Sequence, residues 1–235
     1  VWVADGHGKS VLEQFYRALS DEQLASIEVV TGDGARWITD CVNEFTPDCE
    51  RCVDPFHVVE WTMDALDQVR KDRWRAAYAK ASELAKEAPK KRGRAKSDDL
   101  AAQKALAARK EASEIKKSAY ALGKAPENLT DNQRIRLEMI QARDPQLYRA
   151  YRLKESLRTL LKSSDVDQAE ADLKHWLWWA SHSRIPAFHD LYEKIKRHRE
   201  HILNTIRLGL SNARIEATNN KIKLIIRRSF GFRNI

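Results

Sequence analysis

Carboxylates stand at three places in this 235-residue chain where they could do chemistry. The first is Asp33, in Gly32-Asp33-Gly34, at the carboxyl end of the β-branched run Ile27-Glu28-Val29-Val30-Thr31. Ligands of open α/β sheets bind at that edge, and flanking glycines let a ligand approach the backbone. The same tripeptide is good turn chemistry, so a purely structural aspartate is the alternative. The second place is Glu216. On a helix, Ile215, Ile222 and Ile226 make an apolar stripe, with Asn212, Glu216, Asn220, Lys223 and Arg227 roughly 60–140° around from Ile215. A carboxylate among amides and cations suits a hard metal ion beside groups that grip phosphates. The alternative is a first-turn glutamate favoured by the helix dipole, with a solvated basic face behind it. The third place is the Asp54-x-x-His57 pair after a short apolar run; a histidine bonded to a turn aspartate is its structural alternative.

Other residues compete for attention. Cys49 and Cys52, with Cys41 and His57 nearby, invite a zinc reading. It is disfavoured because no fourth ligand falls at a finger-like spacing, and residues 49 and 52 of a strand point to opposite faces. Leu173, Trp176, Leu177 and Ala180 form the core stripe of one helix. Trp178 falls on the other side with His175 and His182, where it could stack on a base or pack against another helix. Lys90 to Lys96 is a basic run that could touch phosphates or simply be a solvated loop.

The elements that must position these groups change character along the chain. Val1-Trp2-Val3-Ala4 reads as a strand entering the Asp5-Gly6 turn. Helical spacing follows over 10–19, then the strand at 27–31. A helix with Trp37, Ile38, Cys41, Val42 and Phe45 on one face comes next, and a strand over 49–53. Strand, helix, strand, helix, strand indicates an α/β unit with parallel pairing. From about residue 58 to 205 the pattern is helical, broken at Pro89, Pro126, Pro145 and Pro186, with N-caps expected at Thr130-Asp131 and Ser163-Ser164-Asp165. The 42 Lys and Arg exceed the 34 Asp and Glu, for a net charge of +8. The pI of about 9.4 points to a polyanionic partner, nucleic acid first. A hydrophobic share of 43 % excludes wholesale disorder. No run reaches the roughly 18 apolar residues of a membrane span. Three cysteines are too few for a disulfide scaffold and fit a reducing cytosol.

Taken in order, the blocks resemble a family. Val29-Val30-Thr31-Gly32-Asp33-Gly34 precedes Asp54-Pro55-Phe56-His57-Val58-Val59. Much later come Ser211-Asn212-Ala213-Arg214-Ile215-Glu216-Ala217-Thr218-Asn219-Asn220-Lys221-Ile222-Lys223 and Arg227-Arg228-Ser229-Phe230-Gly231-Phe232-Arg233-Asn234. Over nearly its whole length the chain resembles the catalytic region of bacterial insertion-sequence transposases of the ISL3 family, which are DDE transposases.

The resemblance implies an α/β, ribonuclease-H-like fold interrupted by a large all-α insertion. The catalytic core would occupy 1–62 and be closed by a helix in 206–235, with the helical insertion at 63–205. It implies two divalent ions, Mg²⁺ or alternatively Mn²⁺, on an Asp, Asp, Glu triad. Asp33 takes the second aspartate's place and Glu216 the glutamate's, while Asp54 and His57 support the site. Asn212, Asn220, Lys223, Arg227 and Arg228 would contact double-stranded DNA, at element ends and target, in a homo-oligomer assembled on DNA. The location implied is cytoplasmic, on the nucleoid. Asp5 does not match the family's first aspartate, so the chain reads as truncated at its amino end, without that aspartate and without a separate DNA-binding region. An inactive remnant is the corresponding alternative. A rival of another class is a non-catalytic helical DNA-binding or assembly protein, in which Asp33 and Glu216 lie far apart.

Overall fold

The computed structural model describes residues 2–87, 100–209 and 224. Chain contacts divide it into two compact units. The first holds the described residues of 1–58, 161–172 and 197–235, and the second holds those of 59–160 and 173–196.

The first unit opens with α1 (Lys9–Arg17) and the short α2 (Asp21–Ala25). Ser20 caps α2 through a reciprocal pair of bonds with Gln23. Then come β1 (Val29–Gly32), α3 (Arg36–Phe45) and β2 (Glu50–Val53). The two strands pair in parallel, with Val29 opposite Glu50 and Gly32 opposite Val53. Parallel partners cannot be joined by a tight turn, and α3 supplies the crossover. The α3 stripe predicted from sequence explains the packing: Cys41 and Val42 are buried, and Phe45 stacks on Tyr16 of α1 with ring centroids 5.2 Å apart. Expected strand character at 2–4 is absent. Those residues are irregular, Val3 is 83 % exposed, and only Trp2 is tethered, against Phe15. A strand needs a hydrogen-bonded partner, and the described residues offer this segment none. β1 is half-buried along its length, less covered than its β-branched composition suggests. The last element of this unit is reached after the helices of the second.

Helix α4 (Pro55–Glu87) begins directly after β2 and runs into the second unit. That unit continues with α5 (Leu100–Lys117), α6 (Ala119–Gly123), a 3₁₀ turn at Pro126–Asn128, α7 (Asp131–Arg143) and α8 (Pro145–Leu160). Parts of α9 (Val166–Ser181) and α10 (Pro186–Arg197) complete it. The prolines sit where a missing N–H costs nothing, at the first position of α8, α10 and the 3₁₀ turn. Thr130 caps α7 with Gln133 in a capping box, and Asp165 accepts from the Gln168 N–H at 3.1 Å at the start of α9. Leu147, Leu153, Leu173, Trp176 and Phe188 are fully buried and form the centre of this core. The indole N–H of Trp176 donates to the Leu153 carbonyl at 2.9 Å, so burying it leaves no donor unpaired. No helix among the described residues is long and apolar enough to cross a membrane.

The chain returns to the first unit in α11 (Arg199–Leu208), which ends on Gly209 in the left-handed conformation, φ 60°.

Candidate active site

Parallel pairing decides the site's geometry. Both strands point the same way, so both end at one edge of the sheet. There the Asp54 N–H donates to the Gly32 carbonyl at 2.9 Å. Asp33 and Asp54 therefore leave neighbouring strands side by side, as expected for residues following β1 and β2.

Their environments differ. Asp33 is exposed, and its Oδ1 accepts the Ala35 N–H at 2.8 Å, closing the turn that starts α3. No other side-chain bond to Asp33 occurs among the described residues, so one carboxylate oxygen is uncommitted. Asp54 is 4 % exposed, and its Oδ1 accepts the Phe56 N–H at 3.0 Å. Its carbonyl accepts from the His57 and Val58 N–H groups, making Asp54 the start of α4. A buried carboxylate there answers both the unpaired N–H groups and the positive end of the helix dipole. His57 is half-buried in the first turn of α4, edge-on to Phe56 at 5.6 Å. The glycines around Asp33 are not required by backbone strain, because neither has positive φ.

Arg51 lies behind this edge, and the sequence reading passed over it. It is 5 % exposed. Its Nη2 donates to the Asp33 carbonyl at 2.5 Å, and its Nη1 to the carbonyls of Val30, at 3.4 Å, and of Cys52. Burial lowers the guanidinium pKa, opposed chiefly by the Asp33 charge. A Cβ added at Gly32 would lie 3.6 Å from both Nη atoms, so the glycine borders the guanidinium. The signal available in sequence was an arginine among two cysteines and a valine in the short run from Cys49 to Val53, which also carries Glu50.

Helix α11 secures the other side of β2. Residues 50 and 54 bond to β1, which turns the carbonyls of Arg51 and Val53 to the opposite edge. Asn204 Nδ2 donates to the Arg51 carbonyl at 3.2 Å, and Thr205 Oγ1 to the Val53 carbonyl at 2.7 Å. Arg207 reaches Glu50 at 2.7 Å. His201, on the same helix, has its pKa lowered by burial and by Arg51.

The cysteines belong to packing. Cys41 and Cys52 are fully buried, and burial raises both thiols. Cys49 Sγ donates to Thr46 Oγ1 at 3.4 Å. No group of three or more His, Cys, Asp or Glu side chains that could hold a metal ion exists among the described residues. In α9, Trp176 is buried as its stripe predicts. Trp178 is 59 % exposed and stacks on His182 at 4.8 Å and His175 at 6.2 Å. Asn212, Glu216, Asn220, Lys223, Arg227 and Arg228, and the run Lys90 to Lys96, lie outside the described residues.

A parallel βαβ unit with an acidic carboxyl edge, bracketed by the motif blocks read from the sequence, agrees with what comparison with known proteins shows: the chain belongs to the transposase family DDE_Tnp_ISL3, whose model matches residues 1–235. It is 44 % identical over 234 residues to the transposase for insertion sequence element IS1557 of Mycobacterium tuberculosis, in strains H37Rv and CDC 1551. It is 26 % identical over 236 residues to the transposase for insertion sequence element IS1001 of Bordetella parapertussis. Each alignment covers the whole chain and 51 % of the relative, so the chain spans about half the length of these proteins. No solved structure matches it.

Proposed function

We propose that this chain carries part of the catalytic centre of a DDE transposase, which cuts and joins DNA at insertion-sequence ends on a ribonuclease-H-like core. The observation that carries the reading is the common sheet edge. Parallel register sets Asp33 and the Asp54-x-x-His57 turn next to each other, in a chain of the ISL3 transposase family. A nuclease-like core at 1–62 and 206–235, carrying a helical insertion at 63–205, is the organisation that goes with it. In support, a βαβ unit is followed by a long helical stretch, and α11 then bonds to β2.

The donor chemistry at the edge fits a hard divalent cation. Asp33 offers an exposed carboxylate with an uncommitted oxygen, the ligand type Mg²⁺ and Mn²⁺ prefer. Asp33 and Glu216 would hold the ions, with a further aspartate as the family's triad requires. Two ions bound there would polarise the scissile phosphodiester and favour ionisation of the attacking water or 3′-hydroxyl. The protein's own task is placement. Asp33 is fixed by its turn bond to Ala35 and by Arg51 at its carbonyl. Asp54 starts α4 and thereby places His57 beside the edge. Asn212, Asn220, Lys223, Arg227 and Arg228 would hold the DNA backbone, the cations by charge and the asparagines by hydrogen bonds.

The test is cleavage and joining of double-stranded DNA bearing the element's ends, in Mg²⁺, by wild-type, Asp33→Ala and Glu216→Ala proteins. Both substitutions should abolish the reaction. Undiminished activity in either would remove that residue from the centre, and undiminished activity in both would overturn the reading.

A further inference from the structure

A cation buried without a carboxylate partner is costly, and its hydrogen bonds must offset that cost. Arg51 is such a cation. Each of its hydrogen bonds goes to a main-chain carbonyl: Val30 on β1, Cys52 on β2 and Asp33 beyond the end of β1. Its Nε is buried with no hydrogen-bond partner. The Asp33 bond, at 2.5 Å, reaches eighteen positions along the chain to the loop that carries the exposed carboxylate. Gly32 borders the guanidinium on one side, and the Arg51 carbonyl is taken by Asn204 on the other. The planar fork thus ties both strands and the Asp33 loop at one point, from inside the fold.

We propose that Arg51 is the positioning residue of Asp33: its guanidinium clamps the Asp33 carbonyl to both strands and so fixes the direction in which the Asp33 carboxylate meets a divalent ion. The proposal rests on the reading of Asp33 as a metal ligand. Arg51 itself does not touch the ion or the DNA.

Arg51→Lys separates the clamp from the charge. A lysine keeps the cation, but its single ammonium cannot span three carbonyls in one plane. Mn²⁺ binding to the purified protein, followed by electron paramagnetic resonance, is compared for wild type, Asp33→Ala and Arg51→Lys, with thermal unfolding of each. Arg51→Lys should weaken Mn²⁺ binding about tenfold or more, as loss of a residue that orients a ligand does. A purely structural arginine would instead lower the unfolding temperature and leave Mn²⁺ affinity unchanged, and that result overturns the proposal. Wild-type Mn²⁺ binding by Asp33→Ala would show that the metal reading has failed, whatever Arg51 does. Should Arg51→Lys not fold, the wild-type protein decides by nuclear magnetic resonance during a Mg²⁺ titration. Movement of the Arg51 side-chain N–H signals in step with the Asp33 amide supports the clamp, and unmoved Arg51 signals overturn it.

Discussion

Asp33 and Asp54 are neighbours across the end of a parallel strand pair, joined through the bond from the Asp54 N–H to the Gly32 carbonyl at 2.9 Å, yet one is exposed and the other is 4 % exposed. The two aspartates therefore carry different burdens. Asp33 is free to meet a ligand, while Asp54 holds the first turn of α4.

Stability should follow that division. Asp54→Ala removes a buried helix cap and should cost about 1–2 kcal/mol, with Asp54→Asn retaining most of it because the amide oxygen still accepts. Asp33→Ala loses one exposed turn bond and should stay within about 1 kcal/mol of wild type. Urea unfolding followed by circular dichroism measures all three. An Asp33→Ala protein that unfolds in water would mean its catalytic readout reports folding instead of chemistry.

Thr205 tests whether α11 is fastened to the sheet by its hydroxyl. Thr205 is 3 % exposed, and its Oγ1 lies 2.7 Å from the Val53 carbonyl and 2.8 Å from that of His201. One hydroxyl proton serves these two acceptors, and Cys52 is a further neighbour. Thr205→Val keeps the shape and should destabilise the protein by about 1–3 kcal/mol, the cost of a buried polar group left unpaired. Hydrogen exchange should speed up in α11 and β2 more than in α5 or α7.

Tyr151 sets an alkaline limit. It is 4 % exposed, with the Lys154 ammonium 4.8 Å from its ring centre. Burial, with Glu155 next, pushes its phenol from 10.0 up to about 12. The folded state keeps the proton through a pH range in which the unfolded chain has released it. Stability from this group is complete below pH 10 and falls as pH rises toward 12, by at most about 3 kcal/mol. Denaturant unfolding at stepped pH should show that fall in wild type and a flatter profile in Tyr151→Phe.

Two of the three tryptophans of α9, Trp176 and Trp178, should behave as opposites. Trp176 is fully buried and bonded to the Leu153 carbonyl, so Trp176→Ala should cost about 3–5 kcal/mol. Trp178 is 59 % exposed, and its replacement by Ala should change stability by no more than about 0.5 kcal/mol. Thermal unfolding of the two variants is sufficient.

That the two lie on opposite faces was legible in the sequence, because helical periodicity assigns faces without knowledge of partners; that Trp178 is left uncovered was not. Legible too were β1, with its β-branched run, the amphipathic α3, and the caps at Thr130 and Asp165, while β2 was read from a short run ending on Val53. The strand expected at 1–4 failed because apolar, β-favouring residues describe a surface that fits a sheet but do not provide a neighbour to pair with. The five-residue α2 escaped notice because so short a helix has no period to detect. Asp33 and Asp54 could be placed at strand ends from sequence, but their contrast in burial could not. Arg51 was missed because its work is done through main-chain carbonyls of residues that only register brings together. The attachment of α11 was hidden for the same reason, since Thr205 meets Val53 across 152 positions.

The most direct measurement is metal specificity at Asp33. Asp33→Cys replaces a hard oxygen donor with a soft sulfur, which Mg²⁺ binds poorly and Mn²⁺ tolerates better. Cleavage of DNA bearing the element's ends should be lost for this variant in Mg²⁺ and partly restored in Mn²⁺, while wild type works in Mg²⁺. Wild-type rates for Asp33→Cys in Mg²⁺ would contradict the account.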